Sequence, residues 1–185
     1  MMTKQQNNDT FDIYDLLLEQ IRDIYDGELQ QIDFFNELSD STNSFELNEF
    51  LQYHLRETER QTGRIESVLE ELAEVLSGES CDGIKGLIKE TRKLAKRCLN
   101  DEVCDAAIVT AIQHINHYEM AGYGTAIAYA KALERHEIAE QLLETLREEK
   151  RADMGLSDLA ENQINSHAKW SAIVEKIEPR IGAKK

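Results

Sequence analysis

The stretch IRDIYDGELQQIDFF, residues 21–35, decides the fold, because its apolar positions keep one rhythm and a single charge intrudes on it. Ile21, Tyr25, Glu28, Ile32 and Phe35 follow spacings of four and three, which put all five side chains on one face of a helix. An acid at the centre of such a stripe loses its hydration when the stripe packs. Glu28 therefore demands a compensating partner.

Working outward, the chain of 185 residues is long enough for one domain with a real core, and its single proline is Pro179. Nothing before that position forbids long helices. Leu, Ala, Glu, Lys, Gln and Arg are abundant and runs of Val, Ile and Thr are absent, so the fold class is all-α. The pattern predicts a first helix from about Thr10, capped by Asp9 or Thr10, to about Leu38. SDSTNS (39–44) breaks it, a second helix runs from Phe45 to Leu76, and SGESCDG (77–83) is the next break. A shorter amphipathic piece, Ile84 to Leu99, leads to a third long helix over Glu102–Leu133. After the bend ERHE (134–137) a fourth covers Ile138–Ala160. Residues 1–9 are expected to be disordered, 10–162 to form the domain, and 163–185 to add a helix carrying Trp170, Ile173 and Ile177 with a disordered end. That tail either packs on its own bundle or mediates dimerisation. Four long helices with two tight turns and a long second-to-third crossover describe a ferritin-like four-helix bundle.

The formal charge of −15, from 21 basic and 36 acidic residues, argues against nucleic acid or an anionic membrane as partner and in favour of cations. No apolar run reaches the roughly 20 residues of a membrane helix. The start MMTKQQNNDT lacks a secretory apolar stretch, and a cytoplasmic location is expected. Cys81, Cys98 and Cys104 form no CxxC pair. Reduced, structurally minor thiols are the expectation, with a bridge from Cys81 to Cys98 or Cys104 left open.

Each of the other long helices repeats the anomaly of Glu28. Phe50, His54, Glu57, Gln61, Ile65, Val68 and Leu72 share one face of the second. Ile108, Ile112, Ile115, Glu119, Gly122, Ala126 and Tyr129 share one face of the third. Ile138, Leu142, Glu149, Asp153, Leu156 and Ala160 share one face of the fourth. Residues equidistant from a tight turn come level in an antiparallel pair. The midpoint of 28 and 57 is 42.5, inside SDSTNS, and that of 119 and 149 is 134, inside LERHE. Each acid stands about 15 residues, roughly 22 Å, from its turn, so Glu28, Glu57, Glu119 and Glu149 converge. Shifting the second helix by 92 positions lays Glu57 on Glu149 and Gln61 on Asp153, the mark of two pseudo-twofold hairpins.

Acids crowded into a low-dielectric interior cost several kcal/mol per ion unless neutralised. Protons do this by raising the carboxyl pKa values. Lys or Arg would serve, but none falls on the inner stripes near these positions. Divalent cations do it best, and bridging glutamates suit iron or manganese.

The blocks LLLEQIRDIYDGELQ, HLRETERQTGRIESVLEEL, NHYEMAGYGTAIAYAKAL and AEQLLETLREEKRADMGLSDLAE resemble the YciE/YciF-like branch of ferritin-like proteins over about residues 12–162. The resemblance implies a stress-associated, rubrerythrin-like bundle with a di-metal centre and a homodimer. It supports Glu28, Glu57, Glu119 and Glu149 as central acids, Asp153 as an additional one, and His54 and His117 as candidate nitrogen ligands. There are departures from the ferritin pattern of a histidine three residues after a paired glutamate: Arg60 follows Glu57, Ala152 follows Glu149, and Asn116 stands before His117 where relatives carry an acid.

His54 serves equally well as a satisfied polar core residue. His117, two residues from Glu119, points about 200° away from it, which favours a supporting or interface role. His114, His136 and His167 read as surface or packing residues, and Tyr25 and Tyr118 as packing near the site. AGYGTAIAYA lacks the Lys-Ser/Thr of a phosphate loop and reads as close helix packing. The expected function is a di-iron or iron/manganese protein capable of Fe(II) oxidation or peroxide reduction. The alternative is a metal-free, homodimeric bundle whose inner acids are protonated.

Overall fold

A computed structural model describes residues 11–75 and 80–182, with side chains up to residue 175. The N-terminal stretch expected to be disordered, Leu76 and the last three residues lie outside these. The described residues form six α-helices: α1 Ile13–Ser41, α2 Phe45–Glu71, α3 Asp82–Ala95, α4 Asp101–Ala132, α5 His136–Leu159 and α6 Asn165–Gly182. No strand occurs among them, and the architecture is the expected ferritin-like bundle.

α1 packs against α2 and α4, and α5 packs against the same two helices, which closes a four-membered ring. α3, inside the crossover, lies on α1 and α4, while α6 lies on α4 of its own bundle. Among the described residues no helix is long and apolar enough to cross a membrane.

The helix ends differ from expectation by local hydrogen-bond chemistry. α1 begins later than Thr10 because Asp12 caps it, accepting from Tyr14 N at 2.7 Å and Asp15 N at 3.0 Å, while Asp15 accepts from Asp12 N at 2.9 Å. This reciprocal capping box satisfies donors that a Thr10 start would leave open. α2 stops at Glu71, short of Leu76, because Ala73 adopts a left-handed φ of 57° and the N–H of Glu74 returns to Leu69 O at 2.9 Å. The turn expected at ERHE closes the same way: Glu134 has φ 59° and Arg135 N donates to Ala130 O at 2.8 Å. α5 does not stop at Ala160 but passes through a π-helical turn, Ala160–Ile164, into α6. The extra residue in that turn re-aims the following face, so α6 continues along α4.

Two contacts fix how the hairpins sit. Asp105, buried in the second turn of α4, accepts from Asn43 N at 3.0 Å and Ser44 N at 2.9 Å in the α1–α2 turn. Counting from that clamp, Glu28 lies 15 residues before Asn43, Glu57 13 after Ser44 and Glu119 14 after Asp105, each roughly 20 Å along its helix. The start of α3 docks at mid-height, where Cys81 N donates to Asp26 Oδ2 at 2.6 Å. Tyr118 lies close over Gly83, so a Cβ there would push against its ring and disturb the hydroxyl that bonds Asp23.

The apolar core is split in two. One cluster holds Phe34, Phe35, Leu38, Leu47, Leu51 and Ile112, and the other Leu17, Ile21, Ile65, Leu69, Tyr123 and Leu142. On every bundle helix the predicted acid falls at the boundary between them.

The left-handed residue at the α4–α5 turn has a stability consequence. A non-glycine residue in this region costs on the order of 1 kcal/mol, so Glu134→Gly should raise the stability of the protein by about that amount. Urea denaturation of the two proteins side by side checks it, with an unchanged or lowered midpoint as the contrary result.

Candidate metal centre

The boundary layer is built from the same helical spacing that exposed it. Glu28 and Gln31 face inward from α1, Glu57 and Gln61 from α2, Glu119 and Tyr123 from α4, and Glu148 and Glu149 from α5. Glu28 and Glu149 are 0 % exposed. Tyr123 donates its hydroxyl to Glu28 Oε1 at 2.5 Å, and Gln31 Nε2 donates to Glu119 Oε1 at 2.5 Å. α1 and α4 thus each hold the other's acid. Gln61 Nε2 donates to Glu149 Oε1 at 2.8 Å and to Glu148 Oε2 at 3.2 Å.

Electrostatics follow from this crowding. Burial first, then the charge of Glu149, pushes the Glu28 carboxyl well above the usual carboxylate range. Burial and the charges of Glu28 and Glu149 do the same to Glu119. Burial raises Glu149 to about 7, against the stabilising hydrogen bond from Gln61.

Glu57 behaves differently. Its Oε1 accepts from Tyr53 OH at 2.9 Å and faces Arg60 at 3.6 Å, toward the rim of the layer. Three acids therefore meet in the interior and the fourth stands at its edge. Among the described residues no group of three or more His, Cys, Asp or Glu side chains is arranged to hold a metal ion.

The expectation that no basic residue serves the layer is corrected by Arg64. From α2 it reaches across to Thr145, and its guanidinium takes both oxygens of Glu148, at 3.0 and 3.3 Å. Burial works against ionisation of Glu148, but this bidentate contact holds its carboxyl below the usual range. A long side chain can serve a layer that lies a turn away from its own Cα.

The two candidate histidines separate. His54 is buried, its ring 5.0 Å from that of Phe35 and 5.6 Å from that of Phe50, with Nε2 3.3 Å from Asn116 Oδ1. Burial lowers its pKa to about 4, so it is neutral, and Nδ1 has no partner. His117 is 65 % exposed and meets Asp153 at 3.5 Å, on the outside of the bundle. The 200° offset from Glu119 wins for His117. Asp153, 19 % exposed, sits at the margin because four residues from Glu149 over-rotate it by about 40°. Neither belongs to the inner layer.

Tyr25 and Tyr118 bond to Glu66 and Asp23 outside the layer, at 2.9 Å each. The tyrosine that reaches an inner acid is Tyr123, which the stripe through Gly122 passed over. Tyr123 has the same four-residue offset from Glu119 as Asp153 from Glu149, but it is wholly buried and its hydroxyl reaches Glu28 on α1.

The chain matches the model of a family described as a domain of unknown function (DUF892) over residues 12–169. It is 35% identical over 161 residues to protein YciF of Escherichia coli strain K12, covering 86% of this chain and 97% of that protein. The crystal structure of the E. coli stress protein YciF superposes with a TM-score of 0.80 over 84% of this chain and 99% of that one, at 35% identity. YcfI of Rhodopseudomonas palustris, a candidate structural protein, superposes with a TM-score of 0.79 over 82% of this chain and 96% of its own, at 38% identity. A family match across nearly the whole bundle, from the Asp12 cap to α6, together with the YciF likeness in sequence and in fold, makes this chain a member of the DUF892 family.

Proposed function

We propose that the protein binds a pair of divalent cations, iron or manganese, between Glu28, Glu57, Glu119 and Glu149. The observation that carries this reading is the imbalance of the layer. Glu28 Oε2, Glu149 Oε2, Gln31 Oε1 and Gln61 Oε1 are buried acceptors without a partner. All four are oxygens, against one unpartnered amide donor on the same face of α4, Asn116 Nδ2, three residues before Glu119. Buried oxygens in excess of donors suit a hard cation, which binds through oxygen ligands.

In this reading Glu57 turns inward from Tyr53 to complete the ligand set, and Gln31 and Tyr123 keep Glu119 and Glu28 oriented. The apolar clusters on either side exclude water, and Glu28, Glu119 and Glu149 would hold the cations in their deprotonated form. The free Nδ1 lone pair of His54, three residues before Glu57, is the nitrogen available on α2. Bound iron or manganese would supply one-electron chemistry suited to Fe(II) oxidation or peroxide reduction. Kinship with a protein described as a stress protein favours a role in stress physiology.

Metal content of untagged protein from iron- and manganese-supplemented cells, measured by inductively coupled plasma mass spectrometry after a chelator wash, tests the assignment. About two ions per chain are expected, with near-complete loss in the Glu57→Ala, Glu149→Ala double variant while circular dichroism stays helical. Metal below about a tenth of an equivalent in the unaltered protein overturns the reading in favour of a metal-free bundle with protonated acids.

The metal-free protein should also carry a signature in its pH dependence. Glu149, raised from 4.5 to about 7, and Glu28 and Glu119, both raised well above 4.5 chiefly by burial, hold protons more tightly folded than unfolded. Their contribution is full below about pH 4.5 and is lost as pH rises through the folded values. His54, lowered from 6.5 to about 4, works oppositely but is neutral in both states above about pH 6.5. Thermal unfolding should therefore move to lower temperature between about pH 6.5 and 8. Saturating Mn2+ should reverse the slope, because the cation replaces the protons. A metal-free midpoint that is flat or rising across that window would count against three buried acids.

A further inference from the structure

Away from the carboxylate layer, the link between α3 and α4 brings two thiols together. Cys98 lies in the link after α3 and Cys104 in the first turns of α4. Cys98 Sγ donates to Leu94 O at 3.6 Å and Cys104 Sγ to Ala95 O at 3.4 Å. These are adjacent carbonyls in the last turn of α3, so the two thiols are held side by side on neighbouring acceptors. Backbone bonds on both sides hold the arrangement. Cys98 N donates to Ala95 O at 3.1 Å, Cys104 N to Asn100 O at 3.0 Å, and Asn100 caps α4 by accepting from Val103 N at 3.1 Å.

Access distinguishes this pair from the third cysteine. Cys98 and Cys104 are both partly exposed, whereas Cys81 is fully buried at the opposite end of α3. Cys104 also lines a cavity of about 420 Å³ between α1, α3 and α4, beside Phe34, Leu38, Ala95 and Ile108. That space lets its sulfur change direction without displacing a packed neighbour. The bridges from Cys81 left open by the sequence do not form: all three thiols are free, and Cys81 instead meets the Tyr118 hydroxyl at 3.6 Å.

We propose that Cys98 and Cys104 are a redox-active dithiol that hydrogen peroxide closes to an intramolecular disulfide. The Cys98 thiol gives up its proton, its sulfur attacks one peroxide oxygen, the O–O bond breaks, and the hydroxide released takes up that proton and leaves as the first water while Cys98 becomes a sulfenic acid. The Cys104 sulfur then attacks Cys98 Sγ, the S–O bond breaks, and the hydroxide leaves with the Cys104 proton as a second water. Two thiols lose two electrons and two protons in total, and one peroxide is reduced to two waters.

The environments divide these roles. Burial first, then Cys98 itself, pushes the Cys104 thiol up to about 12, so Cys104 stays protonated while Cys98 is reduced. Oxidation of Cys98 removes that neighbouring thiol and with it part of the opposition to Cys104 ionising. The bond would staple the end of the crossover to the start of α4, at the residue next to the Asp105 clamp. The inference stands whether or not the carboxylate layer holds metal.

Reduced full-length protein, exposed to about a tenfold excess of hydrogen peroxide, is unfolded, alkylated with iodoacetamide and digested with trypsin. No Lys or Arg separates the two cysteines, so both fall in the peptide 98–131. The expected product is that peptide without alkyl groups and lighter by two hydrogens, with dithiothreitol restoring two alkylation sites and Cys81 alkylated throughout. In Cys104→Ser the Cys98 sulfenic acid should accumulate and be trapped by dimedone, and in Cys98→Ser oxidation of this peptide should fall several-fold. A wild-type peptide that stays doubly alkylated, or that loses thiols only through intermolecular dimers, overturns the proposal.

Discussion

Desolvation of Glu28, Glu119 and Glu149 at one height is the constraint to which the rest of the bundle answers. Each unneutralised ion costs several kcal/mol in such an interior, and a fully buried Leu, Ile or Phe returns about 1.5–3 kcal/mol. Apolar stripes must therefore extend well beyond the acids in both directions, which is why the core is split into two clusters and why α1, α2, α4 and α5 each run for 24 residues or more. Within the layer, Gln31, Gln61, Tyr123 and Arg64 provide the donors that a purely apolar boundary would lack. Those donors satisfy one oxygen of each inner acid and leave others open. The fold thus tolerates the acids without neutralising them.

Crowding at one height also requires a register that cannot slip. A shift of one residue moves a helical side chain by 1.5 Å and turns it by about 100°, enough to carry a glutamate out of the layer. Asp105 prevents this by bonding the α1–α2 turn to α4 through two backbone donors, so the top of three helices is fixed together. At the other end the left-handed Glu134 fixes α5 to α4. Between these ends α3 climbs along α1, from Cys81 beside Asp26 to Arg92, which pairs with Glu37 at 2.5 Å. The crossover is thereby a brace for the first hairpin as well as a connection to the second.

Periodicity was enough to read the four bundle helices, both tight turns, the crossover and the common height of the acids, because spacing along a helix translates directly into face and level. Angular position within a layer was less legible. His117 and Asp153 share the height of the acids but lie too far round, and Glu57 lies at the correct angle yet bonds outward to Tyr53. Arg64 escaped notice because a stripe is drawn through Cβ positions, and a guanidinium acts some 6 Å beyond its own. The α1 start was misplaced for another reason. Thr10 has Ile13 three residues later, which cannot return the bond, whereas Asp12 has Asp15, which does. The contact of Cys98 with Cys104 depends on the path of a link without periodicity, which spacing alone does not determine.

The pseudo-twofold relation between the hairpins fails at an informative place. Shifted by 92, Gln61 corresponds to Asp153 and Glu57 to Glu149. Gln61 faces inward and donates to Glu149, whereas Asp153 faces the margin and His117. Glu149 is wholly buried, whereas Glu57 bonds to a tyrosine at the rim. The acid in the second hairpin is thus held in place by an amide from the first, and the acid in the first has no such hold from the second. Glu28, Glu119 and Glu149 are therefore each fixed by a side chain from another helix, and Glu57 is held instead by Tyr53 of its own helix, so of the four acids it has the least claim on a fixed place in the layer.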